Sequence, residues 1–214
     1  MSYKGVIFDL DGTLVDTLED LAGAMNYGLK QLGQPTHSLN ECRKMIGNGV
    51  SKFAERALRA DKQHLHGELL EKMKNRYKEK CTDKTRVYDG LSDTIEQLRK
   101  SQVRLAVVTN KNAEDAKVVV EHYFGVGTFE VIIGVEGDKW VKPDPAGTLE
   151  IIRRMGISME DFLLIGDSDV DIATAINAGI KPVGVTWGFR SRQQLVKAGA
   201  ETIVDTPSEI LELI

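Results

Sequence analysis

Along the chain, short apolar runs alternate with stretches whose apolar residues recur at helical spacing. Gly5-Val6-Ile7-Phe8 is too short and too uniformly apolar for a strand with one wet face. It reads as a central parallel strand buried on both sides. Similar runs lie at 103–109 (VRLAVVT), 129–134 (FEVIIG), 162–167 (FLLIGD) and 182–187 (PVGVTW), with a weaker one at 201–205 (ETIVD). Helical patterns separate them. Asn112 is placed to cap a helix carrying Ala116, Val119, Val120 and Tyr123, and 145–155 forms another that closes near Gly156. Over 170–178, Ile172, Ala173 and Ile176 are expected on one side, with Gly179 at the stop. Thr206-Pro207-Ser208-Glu209 is a capping box with proline at the first helical position. This alternation predicts an α/β fold with a Rossmann-like, doubly wound parallel sheet.

One segment breaks the rhythm: between Asp16 and Tyr88 no strand is expected. Leu18, Leu21, Ala22, Met25, Leu29 and Leu32 keep helical spacing, and Ser38 to Glu41 is a capping box opening a further helix. Two more helical stretches cover 50–60 and 65–80. The insert spans about 70 residues, enough to bury a small core of its own, though marginally. The predicted organisation is therefore a sheet core built from residues 1–15 and 88–214, interrupted by an α-helical domain at 16–87. The sequence shows no repeat and no low-complexity tract.

Composition narrows the function without choosing it. The 214 residues are 42% hydrophobic and 28% charged, as in ordinary globular proteins. A net charge of −4, with no basic tail and no long run of one sign, argues against nucleic acid as a partner but leaves a small anionic ligand open. No apolar run approaches the roughly 20 residues of a membrane span. The first residues turn acidic where a signal peptide would carry its apolar core, so a cytoplasmic protein with no membrane partner is expected. Cys42 and Cys81 lack CxxC spacing and are expected as reduced thiols. His64 and His66, two apart on a helix, point to different sides and make a poor metal pair.

The chemistry lies at the strand ends. In an open α/β sheet, ligands bind beyond the carboxyl ends of the strands. Asp9 and Asp11 follow the first run, Thr109 ends the second, Asp167 ends FLLIGD with Asp169 and Asp171 beyond it, and Lys142 lies in the loop after FEVIIG. Carboxylates gathered at one edge repel each other, so they must take up protons or a cation. A hard divalent ion such as Mg²⁺, which takes oxygen ligands and keeps several waters, is the economical remedy, with Asp9 and Asp167 each giving one oxygen. The other groups suit a phosphoryl guest. Gly12 lets backbone amides turn toward an anion, Thr109 offers a hydroxyl, and Lys142 offers a point charge. Asp9 is then the candidate nucleophile. Asp11, brought round by a bend at Gly12, is the candidate acid that protonates the leaving oxygen and later takes a proton from water. Singly, each group has an ordinary explanation as a turn, strand end, solvated loop lysine or acidic helix start. Their order along the chain carries the case.

At these residues the chain resembles the haloacid dehalogenase superfamily. DLDGT (9–13), the threonine of VVTNK (107–111), the lysine of VKPDP (141–145) and GDSDVD (166–171) are similar to its four motifs in order, and the likeness covers nearly the whole chain. The helical insert after the first motif is similar to the family's cap. The resemblance implies Asp9 as nucleophile and Asp11 as acid/base, with Thr109 and Lys142 binding the phosphoryl group and Lys142 also steadying Asp9. It implies Mg²⁺ held by Asp9, the Asp11 carbonyl and Asp167, with Asp171 and Ser168 supporting. Within the superfamily, IGNG (46–49), ERAL (55–58), VTNK (108–111), GDS (166–168) and GVTWGF (184–189) are similar to bacterial phosphoglycolate phosphatases.

Candidate substrate-binding residues are Gly12, Asn110 and Lys111 in the core, and Arg43, Gly47, Asn48 and Gly49 in the insert. The 47–49 stretch reads either as a plain turn between helices or as amides offered to a carboxylate. Trp187 and Phe189 either line an entrance or are packed loop aromatics. The expected function is a Mg²⁺-dependent phosphatase of a small phosphorylated metabolite, working through an aspartyl-phosphate as a monomer or weak homodimer. Alternatives are a phosphosugar mutase similar to beta-phosphoglucomutase, a pyrophosphatase or nucleotidase of the same fold, and a non-catalytic binding protein that keeps the pocket.

Overall fold

The computed structural model describes residues 3–214. Its main unit comprises the chain up to Asp16 and from Val87 onward. Six strands make one sheet: β1 (Gly5–Phe8), β4 (Arg104–Asn112), β5 (Val131–Val135), β6 (Phe162–Gly166), β7 (Lys181–Val185) and β8 (Thr202–Val204). They run in the order β5-β4-β1-β6-β7-β8, with every pairing parallel. From β1 the chain builds outward through β4 and β5, then crosses back to lay down β6, β7 and β8 on the other side. β1 thus stands where the winding reverses, the position at which open sheets bind ligands. All four residues of β1 are buried, which explains its unbroken apolar run.

Register places the strand ends level with one another. Phe8 pairs with Val107 on one side and Ile165 on the other. Asp9 and Asp167 therefore leave the sheet along the same edge, while Thr109, expected to end its strand, lies inside β4, which runs on to Asn112. Beneath them, Ile7, Ala106, Val108, Phe162 and Leu164 pack into one apolar cluster with Ile151, Met155, Ala175 and Ala178. The last four lie on the crossover helices α7 (Ala146–Met155) and α8 (Asp169–Ala178). The helix α6 (Ala113–Phe124) starts with Asn112 accepting a hydrogen bond from the Glu114 amide, as the capping pattern predicts.

Some local expectations need correction. In α8 the buried positions include Asp171, Ile172, Thr174, Ala175 and Ala178, whereas Ile176 is 52% exposed. The site claims the first turn and with it Asp171, while the Thr174 hydroxyl donates to the Val170 carbonyl at 2.6 Å, so apolarity alone misassigns the buried face. The capping box at Thr206 is present, but the turn it opens, Pro207–Leu213, is 3-10 rather than α. Helices α5 (Leu91–Lys100) and α9 (Arg192–Lys197) were not anticipated.

The second unit, residues 17–86, is helical. It contains α1 (Leu18–Gln31), α2 (Leu39–Met45), α3 (Gly49–Ala57) and α4 (His66–Lys80), with a 3-10 turn at Ala60–Leu65 before α4. The Ser38–Glu41 capping box is formed, and α1 packs on α4. The expectation of no strand between Asp16 and Tyr88 fails at its far end, at Arg86–Val87. Val15–Asp16 (β2) and Arg86–Val87 (β3) are two-residue strands, too short to show any alternation in sequence. Inside the unit, the buried Asp20 carboxylate accepts from the amides of Lys84 (3.0 Å) and Thr85 (2.8 Å) and from the Thr85 hydroxyl (2.8 Å), tying the start of α1 to the segment before β3. Both cysteines are buried and outside any disulfide. Among the described residues, no helix is long and apolar enough to cross a membrane.

Candidate active site

Lys142 is the centre of the strand-end cluster. It sits in the loop after β5 with its side chain only 3% exposed. Its ammonium donates to Asp9 Oδ1 at 2.7 Å, to Asp171 Oδ1 at 2.5 Å and to the Val108 carbonyl at 3.1 Å. Asn110 fixes its backbone from both directions: Oδ1 accepts from the Lys142 amide (2.7 Å) and Nδ2 donates to the Lys142 carbonyl (3.1 Å). This gives Asn110 a task within the protein itself. Both polar ends of its side chain are engaged in holding the lysine loop.

Asp171 comes from the first turn of α8. Its Oδ2 closes a capping box with the Ser168 amide (3.0 Å) and hydroxyl (2.6 Å), while its Oδ1 receives Lys142. Helix capping thus aims the Asp171 carboxylate at the lysine. Asp9, Asp167 and Asp171 bring oxygens within 4.8 Å of one another, all in buried side chains. Asp11 is not in that cluster through its side chain. Its Oδ2 accepts from Lys111 Nζ at 2.8 Å, and its buried Oδ1 accepts no hydrogen bond among the described residues.

The electrostatics follow from crowding in a dry place. Burial, followed by the charge of Asp171, pushes Asp9 up to about 7 against the opposing pull of Lys142. The short Lys142 contact does not hold Asp9 down because the same ammonium is shared with Asp171 and neither carboxylate sees much water. Asp167 is held well above the ordinary carboxylate range by burial and by Asp171 and Asp9, with the Phe189 amide and Arg190 pulling the other way. For Lys142, burial works against the charge, but Asp171 and Asp9 outweigh it and raise the ammonium above lysine's ordinary value. When all three carboxylates are ionised, they face a single buried ammonium, an excess of two negative charges. Oxygen donors of that charge and spacing fit one hard divalent cation.

The remaining candidates divide. Thr109 is buried at the end region of β4, its hydroxyl accepting from the Lys111 amide at 3.3 Å. Gly12 turns with φ +92°, and a Cβ there would lie 2.5 Å from an Asp167 oxygen, so the bend expected after Asp11 is present and tight. Lys111, expected to meet an anionic tail, is nearly buried and engaged with Asp11. In the insert, Arg43 is an exposed residue of α2. Gly47, Asn48 and Gly49 all have positive φ (122°, 60° and 85°). Arg56 of α3 spans that turn, donating to the carbonyls of Met45 (2.7 Å) and Gly47 (3.0 Å) and to Asn48 Oδ1 (2.7 Å). The ERAL stretch announced this arginine without revealing its partners.

Comparison with known proteins gives a consistent picture. The haloacid dehalogenase-like hydrolase family profile matches residues 6–185. A phosphoglycolate phosphatase of Pseudomonas putida is 33% identical over 206 residues, covering 94% of this chain and 75% of its own length. One from Chromobacterium violaceum is 32% identical over 217 residues, covering 99% and 96%. Among solved structures, a predicted phosphoglycolate phosphatase from Haemophilus somnus 129PT superposes with a TM-score of 0.90 at 28% identity, over 100% of this chain and 98% of its own.

Proposed function

The chain belongs to the haloacid dehalogenase-like hydrolases and is a phosphatase of phosphoric monoesters, and from that premise we propose that it cleaves a small phosphomonoester through a phosphoryl group carried on Asp9. The observation that supports this most directly is the Lys142 bridge. It grips Asp9 by one oxygen, at 2.7 Å, and fixes the direction of the other. That second oxygen attacks phosphorus while the bond to the leaving oxygen breaks. Asp11 gives the departing alkoxide a proton. Water then attacks the aspartyl-phosphate, Asp11 takes up its proton, and phosphate leaves as Asp9 is restored. The buried, unpartnered Oδ1 of Asp11 suits that exchange. The Thr109 hydroxyl donates to a phosphoryl oxygen and Lys142 supplies neutralising charge, whereas the Gly12 amide is already given to the Val15 carbonyl at 2.9 Å.

Asp9 and Asp167, with the main-chain carbonyl of Asp11, would hold Mg²⁺. Asp171 would support from behind, since Lys142 and Ser168 already occupy both of its oxygens. Bound there, the cation supplies neutralising charge for the carboxylates and for the phosphoryl oxygens. The relatives named above support 2-phosphoglycolate as the substrate, with the helical insert and its 47–49 turn governing selection. The test is a screen of phosphorylated metabolites that includes 2-phosphoglycolate, joined to borohydride trapping during turnover. Phosphate release with reduction of Asp9 to homoserine is expected; wild-type turnover by an Asp9→Asn protein would sink the covalent route.

A further inference from the structure

We propose that the turn Trp187-Gly188-Phe189, which follows β7, is a holder for Asp167 that fixes this carboxylate in the orientation a divalent cation requires. The inference rests on the cation reading above and assigns a task to the WGF stretch, which sequence alone leaves as lining or packing.

Three contacts converge. The Phe189 amide donates to Asp167 Oδ2 at 2.6 Å, whereas the Thr13 hydroxyl reaches Oδ1 only at 3.5 Å, so the backbone donor is the firm one. Gly188 gives the turn room to approach. A Cβ at this position would lie 2.3 Å from Asp167 Cβ, 2.3 Å from the Gly12 carbonyl oxygen and 2.5 Å from Asp167 Oδ2. The first two belong to fixed parts of the chain and cannot swing aside, so any side chain at 188 would lift the turn off the carboxylate. The Trp187 ring N–H then ties the turn to the loop after β1, donating to the Thr13 carbonyl at 3.0 Å. Gly12 completes the fit from the opposite side, since a Cβ there would meet the Phe189 ring at 2.9 Å. The turn thus joins the segments that carry Asp9 and Asp167, and the Phe189 amide sets which Asp167 oxygen remains for a metal. Partners of this kind behind a ligand typically govern affinity by about 10–100-fold.

The test is calorimetric Mg²⁺ binding to the full chain at about pH 8, with circular dichroism to verify folding. Wild type, Trp187→Phe, Gly188→Ala and Asp167→Asn are compared. Trp187→Phe keeps the aromatic bulk and removes only the anchoring N–H; it should weaken Mg²⁺ binding on the order of 10-fold, with kcat returning at saturating Mg²⁺. Gly188→Ala should weaken binding further; if it does not fold, Trp187→Phe decides. Wild-type Mg²⁺ affinity in folded Trp187→Phe would overturn the assignment, as would weakened binding whose kcat loss persists at saturating Mg²⁺, because that marks general distortion. If wild type and Asp167→Asn both fail to bind Mg²⁺, the cation reading itself falls, and this proposal with it.

Discussion

At the scale of single residues, the site is governed by one lysine shared between acids. Replacing Lys142 with methionine keeps its stem but leaves Asp9 and Asp171 buried without their cation. Losing one partner of a buried pair typically costs about 3–5 kcal/mol. Lys142→Met should therefore lower the melting temperature clearly as well as abolish turnover, and unchanged thermal stability would contradict the charge balance drawn here. Asp9 gives a signed pH dependence. Its folded value of about 7 lies above the roughly 3.9 of aspartate in an unfolded chain, so the folded state binds the extra proton. Stability from this group is fully present below about pH 4 and is lost as pH rises through about 7. Asp9→Asn copies the protonated form at every pH. In metal-free buffer its melting temperature should gain on wild type progressively from about pH 4 to beyond 7, and Mg²⁺ should narrow the gap at the upper end by stabilising only wild type. A gap that stays constant with pH would rule this out. If Asp11 is the proton donor proposed above, Lys111→Met should lower kcat with every substrate, whereas a contact with a substrate tail would make the loss selective.

At the scale of elements, two polar clasps hold the insert's connections. Asp20 satisfies two amides and a hydroxyl at once, all at or near its buried carboxylate. Asp20→Ala would strand those donors, a loss of about 1–3 kcal/mol on ordinary values for unmade buried hydrogen bonds. Hydrogen exchange should rise at the Lys84 and Thr85 amides ahead of the rest of the chain, and protection retained there would show that the clasp adds nothing. Arg56 plays a looser part for the turn at 47–49, where three successive positive φ values include a non-glycine. Because the arginine is exposed, its removal should loosen that turn without lowering global stability by more than a fraction of a kcal/mol.

At the scale of the whole molecule, the chain divides its labour between a sheet unit carrying every residue assigned to the chemistry and a helical unit inserted between the first strand and the rest. If the helical unit selects substrate, substitutions at Gly47, Asn48 and Gly49 should reorder kcat/KM among phosphomonoesters while sparing a minimal donor such as acetyl phosphate. Changes at Asp9 or Asp167 should depress all substrates together. Equal loss of every substrate in folded loop variants would assign that turn to the shared chemistry.

Much of this was legible in the chain because the information was local. A strand buried on both faces must be apolar throughout, so β1 and β6 announced themselves and their ends pointed to Asp9 and Asp167. Helix starts carry their own capping groups, so Asn112 and Ser38 were readable as polar residues before helical runs. The sequence by itself therefore determined the alternation of elements, the place of the insert and the acids that stand at the strand ends. What it left open were contacts between residues far apart in the chain. Asn110 holding the Lys142 loop, Lys111 turning to Asp11 and the Phe189 amide meeting Asp167 each depend on register and loop path. A hydrogen bond donor has no preferred partner until packing excludes water and leaves one acceptor within reach. Tertiary structure alone decided which polar residues at the strand ends hold one another.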